Sequence, residues 1–359
     1  MDAPGGYAPS DPEWANHPWW WRFLISAVIF LILAGIFNLI IDPYRIYGVE
    51  LLEKEELNYY RKKLQLINDL KTPPEALILG SSSEMSYDPD LITELTGLGC
   101  FNFAIPGACT ENLYSALRVG LKRFPDSIRL VVVGFDPRTV HPTLPLETEA
   151  RYVSEFSQYF IHNPEGQASQ LEKFELLFTI GQLEDSASTL NRAIAVEEGV
   201  EKHAFRDDGF AIWSQIELEI RQGKFDLDER IRKRIRRYPE QSLRLSEFTE
   251  LSTVRKQYWE DFLDLCVEND IKVYAFYHPV HPILMRNLYD LGAQPIFDEF
   301  SEYVDSTVRD AGGVYRDFRW IDSFGGDPDE YYDELHPRPA NGVALMRKLL
   351  SEYQVENKE

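Results

Sequence analysis

Hydrophobic positions along the chain fall into three regimes. Phe23 to Ile41 reads FLISAVIFLILAGIFNLII, 19 residues without a charge between Arg22 and Asp42. As a helix this run would extend about 28 Å, against a hydrocarbon core of about 30 Å, so a transmembrane helix is predicted over residues 23–41. Trp19, Trp20 and Trp21 at one end and Tyr44 and Tyr47 at the other put amphipathic rings at headgroup level. A soluble helix this long would carry charges on its outer face, and a cleaved signal peptide would have a basic leading segment and small residues at its end. Here Asp2, Asp11 and Glu13 precede the run and Asp42-Pro43 follows it, so an uncleaved anchor is expected after an N-terminal extension, residues 1–22. Arg22 and Arg45 cancel in the positive-inside count and leave the orientation open. Asn38, inside the span, can pair with a neighbouring helix or reach the interface.

In the second regime, Leu57, Tyr60, Leu64 and Ile67 recur at helical spacing, which predicts an amphipathic helix over 50–71, ended by Thr72-Pro73-Pro74. Residues 42–73 thus read as a juxtamembrane helical linker. Short apolar runs then alternate with helical stretches. Ala76–Leu79, Phe101–Ile105, Ile128–Val133 and Val273–Tyr277 are strand-like, and Leu91–Leu95 and Leu113–Leu121 are helical. Continuous apolar strands separated by helices predict an α/β domain over 74–355, a parallel sheet covered on both faces. The third regime, from about 140 to 250, is polar and helix-favouring with no run fit for a central strand. It is read as a helical insertion.

Composition narrows the functional classes. With 359 residues, 44% of them hydrophobic, the chain can bury a large core, and its formal charge of −22 argues against wrapping nucleic acid. Cys100, Cys109 and Cys266 form no Cys-x-x-Cys pair, so neither a disulfide scaffold nor a structural zinc site of that type is expected, and no cofactor is implied. Against the acidic background stands the run Arg230-Ile231-Arg232-Lys233-Arg234-Ile235-Arg236-Arg237. Its plain reading is a solvated helix face held by Asp226, Asp228 and Glu229; the sharper one is a patch for anionic lipid or an acidic polymer.

Four short pieces could carry chemistry. Gly80-Ser81-Ser82-Ser83-Glu84-Met85 follows the first strand, where a hydroxyl can be exposed with its backbone N–H aimed at an oxyanion, although a Ser-rich turn is also a common helix cap. Asn102-Phe103-Ala104-Ile105-Pro106-Gly107 ends a strand in a glycine, and Val131-Val132-Val133-Gly134-Phe135-Asp136 ends another at polar residues. Asp333-Glu334-Leu335-His336 sets an Asp three residues before a His, where it can orient an imidazole that serves as base to a serine. His278-Pro279-Val280-His281-Pro282 follows the strand Val273–Tyr277; its prolines forbid the helical spacing of a metal pair, and a loop giving polar contacts to substrate is the expectation. His141 invites the same reading.

In this order the pieces resemble the SGNH hydrolase family. The phrases IIDPYRIYG, LILGSSSEMSYDP, FNFAIPGA, VVVGFDP and YYDELHP are similar to those of bacterial single-pass proteins with an envelope-facing SGNH-like domain, related to the acyltransfer proteins of alginate acetylation and teichoic-acid D-alanylation. The resemblance implies a flavodoxin-like parallel sheet, Ser82 as nucleophile, His336 as general base and Asp333 as its orienting acid. It implies oxyanion donors at the N–H groups of Ser82 and Gly107. Two departures stand out. Ser81 replaces the family's frequent Asp, and Asp136 stands where the side-chain donor is usually Asn, so that it points elsewhere, is protonated, or leaves a weak site. Asn102 is the substitute donor considered.

The resemblance further implies a bacterial inner-membrane location with the globular domain on the periplasmic side. Two functions follow. One is a serine esterase or O-acyltransferase acting on envelope polysaccharide or lipid-linked glycan. The other is a catalytically degraded scaffold, a structural or assembly subunit that meets other membrane subunits through the transmembrane helix and the Trp-rich segment Trp14, Trp19, Trp20 and Trp21.

Overall fold

A computed structural model describes residues 19–49, 58–163, 166–195 and 204–353. The chain divides into two compact units, Met1–Glu55 with Ser169–Ala195, and Glu56–Ala168 with Val196–Glu359. Trp14, the rest of the N-terminal extension and positions 50–57 of the expected linker lie outside the described residues.

The first unit is built on the helix Trp19–Ile41, long and apolar enough to cross a membrane. It packs against the helix Ile180–Ala195. Gly35 lets the Phe178 ring approach so closely that a Cβ would collide with it. The buried Asn38 spends its amide on the Leu177 carbonyl at 2.8 Å. Asp42 turns the chain out of the helix in a left-handed conformation (φ 41°), and its carboxylate accepts the N–H groups of Ile46, Tyr47 and Val49. Tyr44 and Tyr47 donate their hydroxyls to Asp185 and to the Lys173 carbonyl, at 2.9 and 2.6 Å. These contacts correct the expected division of the chain: Ser169–Ala195, read as part of the insertion, belongs with the N-terminal helix.

The second unit holds a five-stranded, all-parallel sheet in the order β2-β1-β3-β6-β7, with β1 Ala76–Leu79, β2 Cys100–Asn102, β3 Leu130–Phe135, β6 Lys272–Tyr277 and β7 Val314–Asp317. Counting only its own strands this is 2-1-3-4-5, a doubly wound order whose switch point lies between β1 and β3. Every residue of β1 and β3 is buried, as a sheet covered on both faces demands. Alternate side chains feed two cores. Leu77, Leu79, Val131 and Val133 meet the helices Thr110–Arg123, Thr253–Glu268 and Gln294–Asp310, while Ile78, Val132 and Phe276 meet Pro89–Thr96 and Pro339–Leu349.

Three expectations need correction here. The helix Tyr59–Asp69 is no linker, because Tyr60, Leu64, Leu66 and Ile67 are buried in the larger core. Strand β7 was missed: at the sheet edge it needs no continuous apolar run, and its Arg316 and Asp317 disguise it. The insertion is helical but also contains an antiparallel hairpin, β4 Ala204–Phe205 and β5 Ala211–Ile212.

Candidate functional site

The C-terminal end of β1 is shaped by a carboxylate folded back beneath it. Glu84, 1% exposed, accepts from the Ser81 N–H at 2.6 Å and from the Ser81 hydroxyl at 3.1 Å. Gly80 and Gly134 make room for it, since a Cβ at either would overlap the Glu84 side chain. On its other side Glu84 meets His278 Nδ1 at 2.7 Å. This buried acid pins the turn Ser81–Ser83 and presents Ser82 at the rim. There the Ser82 hydroxyl lies 2.9 Å from His336 Nε2, across 254 positions of sequence.

His336 is held by a self-contained turn. Asp333 Oδ1 accepts the N–H groups of Leu335 and His336 at 2.9 and 3.0 Å, and the carboxylate oxygens lie 2.8 and 3.0 Å from His336 Nδ1. A carboxylate at Nδ1 assigns the proton to that nitrogen and leaves Nε2 as acceptor for the serine. Burial alone would raise the Asp333 pKa; His336, the Leu335 N–H and Arg234 together hold it well below the usual carboxylate range.

The insertion supplies one wall of a cleft of about 340 Å³ in front of these residues. The Trp213 ring lies 4.5 Å from the His336 ring, and stacks on Tyr332 at 5.4 Å. Arg234 donates to Asp333 Oδ2 at 3.0 Å. Neither Trp213 nor Arg234 was singled out as a site residue, because nothing within the insertion indicates which of its residues return to the sheet. The basic run is divided among separate acids: Arg230 pairs with Glu219, Lys233 with Glu229 at 2.7 Å, and Arg234 reaches the cleft. Arg232, Lys233, Arg236 and Arg237 are exposed and Lys233 pairs with Glu229 one turn away, as a solvated helix face requires; Arg230 and Arg234 depart from it by turning to Glu219 and Asp333.

A second cleft of about 270 Å³ is lined by Ser81, Gly107, Asp136, Arg138 and Glu147 among others. Gly107 adopts φ +63° against Glu147, a conformation that favours glycine. Among the described residues the N–H groups of Ser82 and Gly107 make no hydrogen bond. The Asp136 carboxylate accepts from the Arg138 N–H at 2.7 Å and so caps the turn Pro137–Val140. Burial raises its pKa, with Arg138 and His278 opposing in part, and favours the neutral acid.

Four further candidates are corrected. Asn102 is no oxyanion donor: it is fully buried, its amide N–H groups face the carbonyls of Glu84, Met85 and Tyr87, and its oxygen accepts from Ala104 N–H. His278 and His281 do not form a substrate loop. His278, 1% exposed, spans Glu84 and the Leu335 carbonyl; burial lowers its pKa, but the Glu84 charge and hydrogen bond outweigh burial and leave it raised. His281 is buried, accepts from Ile283 N–H and meets the Pro328 carbonyl. His141 is likewise buried, between Thr143 N–H and the Arg244 carbonyl. Among the described residues one acidic group, Asp88, Asp90 and Asp208, is spaced to hold a cation, and the Arg206 guanidinium already pairs with all three.

No family model matches the chain, and no curated protein is similar to it. Among solved structures it is similar to the crystal structure of "a putative acylhydrolase" from Bacteroides fragilis, at 12% identity and a TM-score of 0.38, over 86% of this chain and 100% of that one.

Proposed function

We propose that the protein is a membrane-anchored serine esterase or O-acyltransferase that acts on envelope glycans through an acyl-serine intermediate. The helix Trp19–Ile41 would hold it in a bacterial inner membrane with the sheet domain on the periplasmic side. One observation carries the chemistry: the Ser82 hydroxyl 2.9 Å from His336 Nε2, with Asp333 on the opposite nitrogen. In this reading His336 takes the Ser82 proton as the oxygen attacks an acyl carbonyl. Asp333 stabilises the imidazolium so formed. The N–H groups of Ser82 and Gly107 receive the oxyanion; Asp136 joins them as a donor only in its protonated form, towards which burial shifts it. The imidazolium then returns its proton to the departing alcohol. Water or a sugar hydroxyl, deprotonated by the same imidazole, frees the acyl group. The edge of the buried Trp213 and the polar side chains Gln215, Glu219 and Arg230 line the cleft and suit the hydroxyl-bearing rim of a sugar ring.

A serine-directed fluorophosphonate tests this directly. The intact protein should be labelled and Ser82→Ala should not; separately, the acyl-serine formed from an activated acetyl ester should be released by water alone, or faster with a glycan acceptor. Absence of labelling at any pH would favour the second reading, a scaffold subunit of a membrane complex, for which the carboxyl group of Asp136 in a donor position is the specific support. A lone, monodisperse protein purified in mild detergent would count against that scaffold.

A further inference from the structure

We infer that the turn between the helices Gln170–Leu176 and Ile180–Ala195 is a lipid-binding wedge, seated in the leaflet around the C-terminal end of the helix Trp19–Ile41. The inference rests on the proposal that this helix crosses a membrane. It adds a second, interfacial contact from a segment more than 120 residues further along the chain.

Three observations carry it. First, the turn and the helix segments flanking it expose large apolar side chains that a water-facing loop does not need: Leu171 is 64% exposed, Phe174 59%, Phe178 39% and Ile180 76%. Second, its depth is set by what it touches. Phe178 packs on Gly35, and Leu177 receives the Asn38 amide. Gly35 lies six residues before the end of the helix, about 9 Å along its axis. The neighbouring exposed residues of that helix, Ile36, Leu39 and Ile40, are apolar as well. Whatever surrounds the helix at Gly35 therefore surrounds the turn. Third, the backbone is prepared for a medium without water. The N–H groups of Leu177, Phe178 and Thr179 donate to Phe174, Glu175 and Leu176 carbonyls within the turn, and the Thr179 hydroxyl accepts from Gln182 N–H. The Leu177 carbonyl takes Asn38. A turn in hydrocarbon must draw hydrogen bonds from protein, and these bonds cover the Leu177, Phe178 and Thr179 N–H groups and the Leu177 carbonyl. The Tyr44 and Tyr47 hydroxyls, bonded to Asp185 and Lys173, then mark the polar border above it.

Spin labels on the full-length chain test the wedge. Single cysteines replace Phe174, Ile180, Glu184 and Ile32 in turn, with Cys100→Ser in each, and the protein is reconstituted in phosphatidylethanolamine–phosphatidylglycerol nanodiscs. Power saturation with oxygen and with a water-soluble nickel chelate should place the Phe174 and Ile180 labels about 5–10 Å below the headgroup boundary, with Glu184 in water and Ile32 deep in the bilayer. Labels at 174 and 180 open to nickel while Ile32 stays inaccessible to it would overturn the wedge alone. Labels closed to both reagents would replace lipid with a protein partner and also overturn it. An Ile32 label open to nickel would remove the transmembrane reading on which the wedge stands.

Discussion

Two carboxylate–imidazole pairs lie in the same unit, and their difference separates the pair proposed to react from the pair that braces it. Asp333 and His336 sit at the cleft; Glu84 and His278 lie beneath them, each 1% exposed. Both have an acid on Nδ1. What distinguishes them is the other nitrogen: that of His336 faces a hydroxyl, and that of His278 faces the Leu335 carbonyl at 3.2 Å. A carbonyl offers no proton to take, so the deeper pair is a strut. It joins the turn that carries Ser82, through Glu84 and Ser81, to the loop that carries His336, through Leu335. The type of pair does not reveal the role; the environment of the far nitrogen does.

This contrast is broken most sharply at the upper pair. His336→Ala should lower fluorophosphonate labelling and esterase rate by about 10⁶-fold, and Asp333→Asn by about 10⁴-fold; the loss of Tm after the first should be smaller than at the lower pair, because Arg234 and two backbone N–H groups still hold Asp333. The lower pair should behave in the opposite way. Removing one partner of a buried ion pair costs about 3–5 kcal/mol, so Glu84→Ala or His278→Ala should shift the urea midpoint and Tm strongly downward while labelling survives in the fraction that remains folded. Equal loss of labelling from folded Glu84→Ala protein would show the two pairs to be one catalytic unit.

Asp136 sharpens the comparison next. If its neutral acid donates to the oxyanion, activity falls as pH rises and the carboxyl ionises, and Asp136→Asn should hold activity in that range by up to about 100-fold over wild type. Asn also caps a turn, so stability should change little. A flat wild-type profile from pH 5 to 9 would remove Asp136 from the chemistry.

The smallest effect is a slope of stability with pH. The folded pKa of His278 is raised, so its contribution is fully present below the ordinary histidine value of about 6.5 and is lost as pH rises through the folded value. For Asp333 the folded pKa is depressed, so its contribution is present above about 3.9 and is lost on further acidification. Urea titrations across pH should show both slopes, and His278→Gln should flatten the alkaline one.

Much of the fold could be read from the sequence because its strands are buried on both faces. Ala76–Leu79 and Val131–Val133 leave no alternation to confuse with a surface strand. The edge strand Val314–Asp317 carries no such signal. Ser82, Asp333 and His336 were named from short phrases, and their side chains converge; each phrase is local, an Asp closing its own turn or a serine after a glycine. Trp213 and Arg234 come from a different stretch, where only tertiary packing says which side chain returns. The histidines after β6 and Asn102 misled for the converse reason: polar residues at strand ends are as readily absorbed as buried bracing as they are exposed to substrate.

That the cleft wall carrying Trp213 lies in a segment inserted between β3 and β6 has an evolutionary consequence. If the proposed reading holds, reacting atoms and recognition surface are encoded on separable stretches, so drift in the insertion could retune which molecule is accepted without retooling the serine or its imidazole. Arg234 is the tether on that freedom, since an exchange that discards it strips one partner from Asp333.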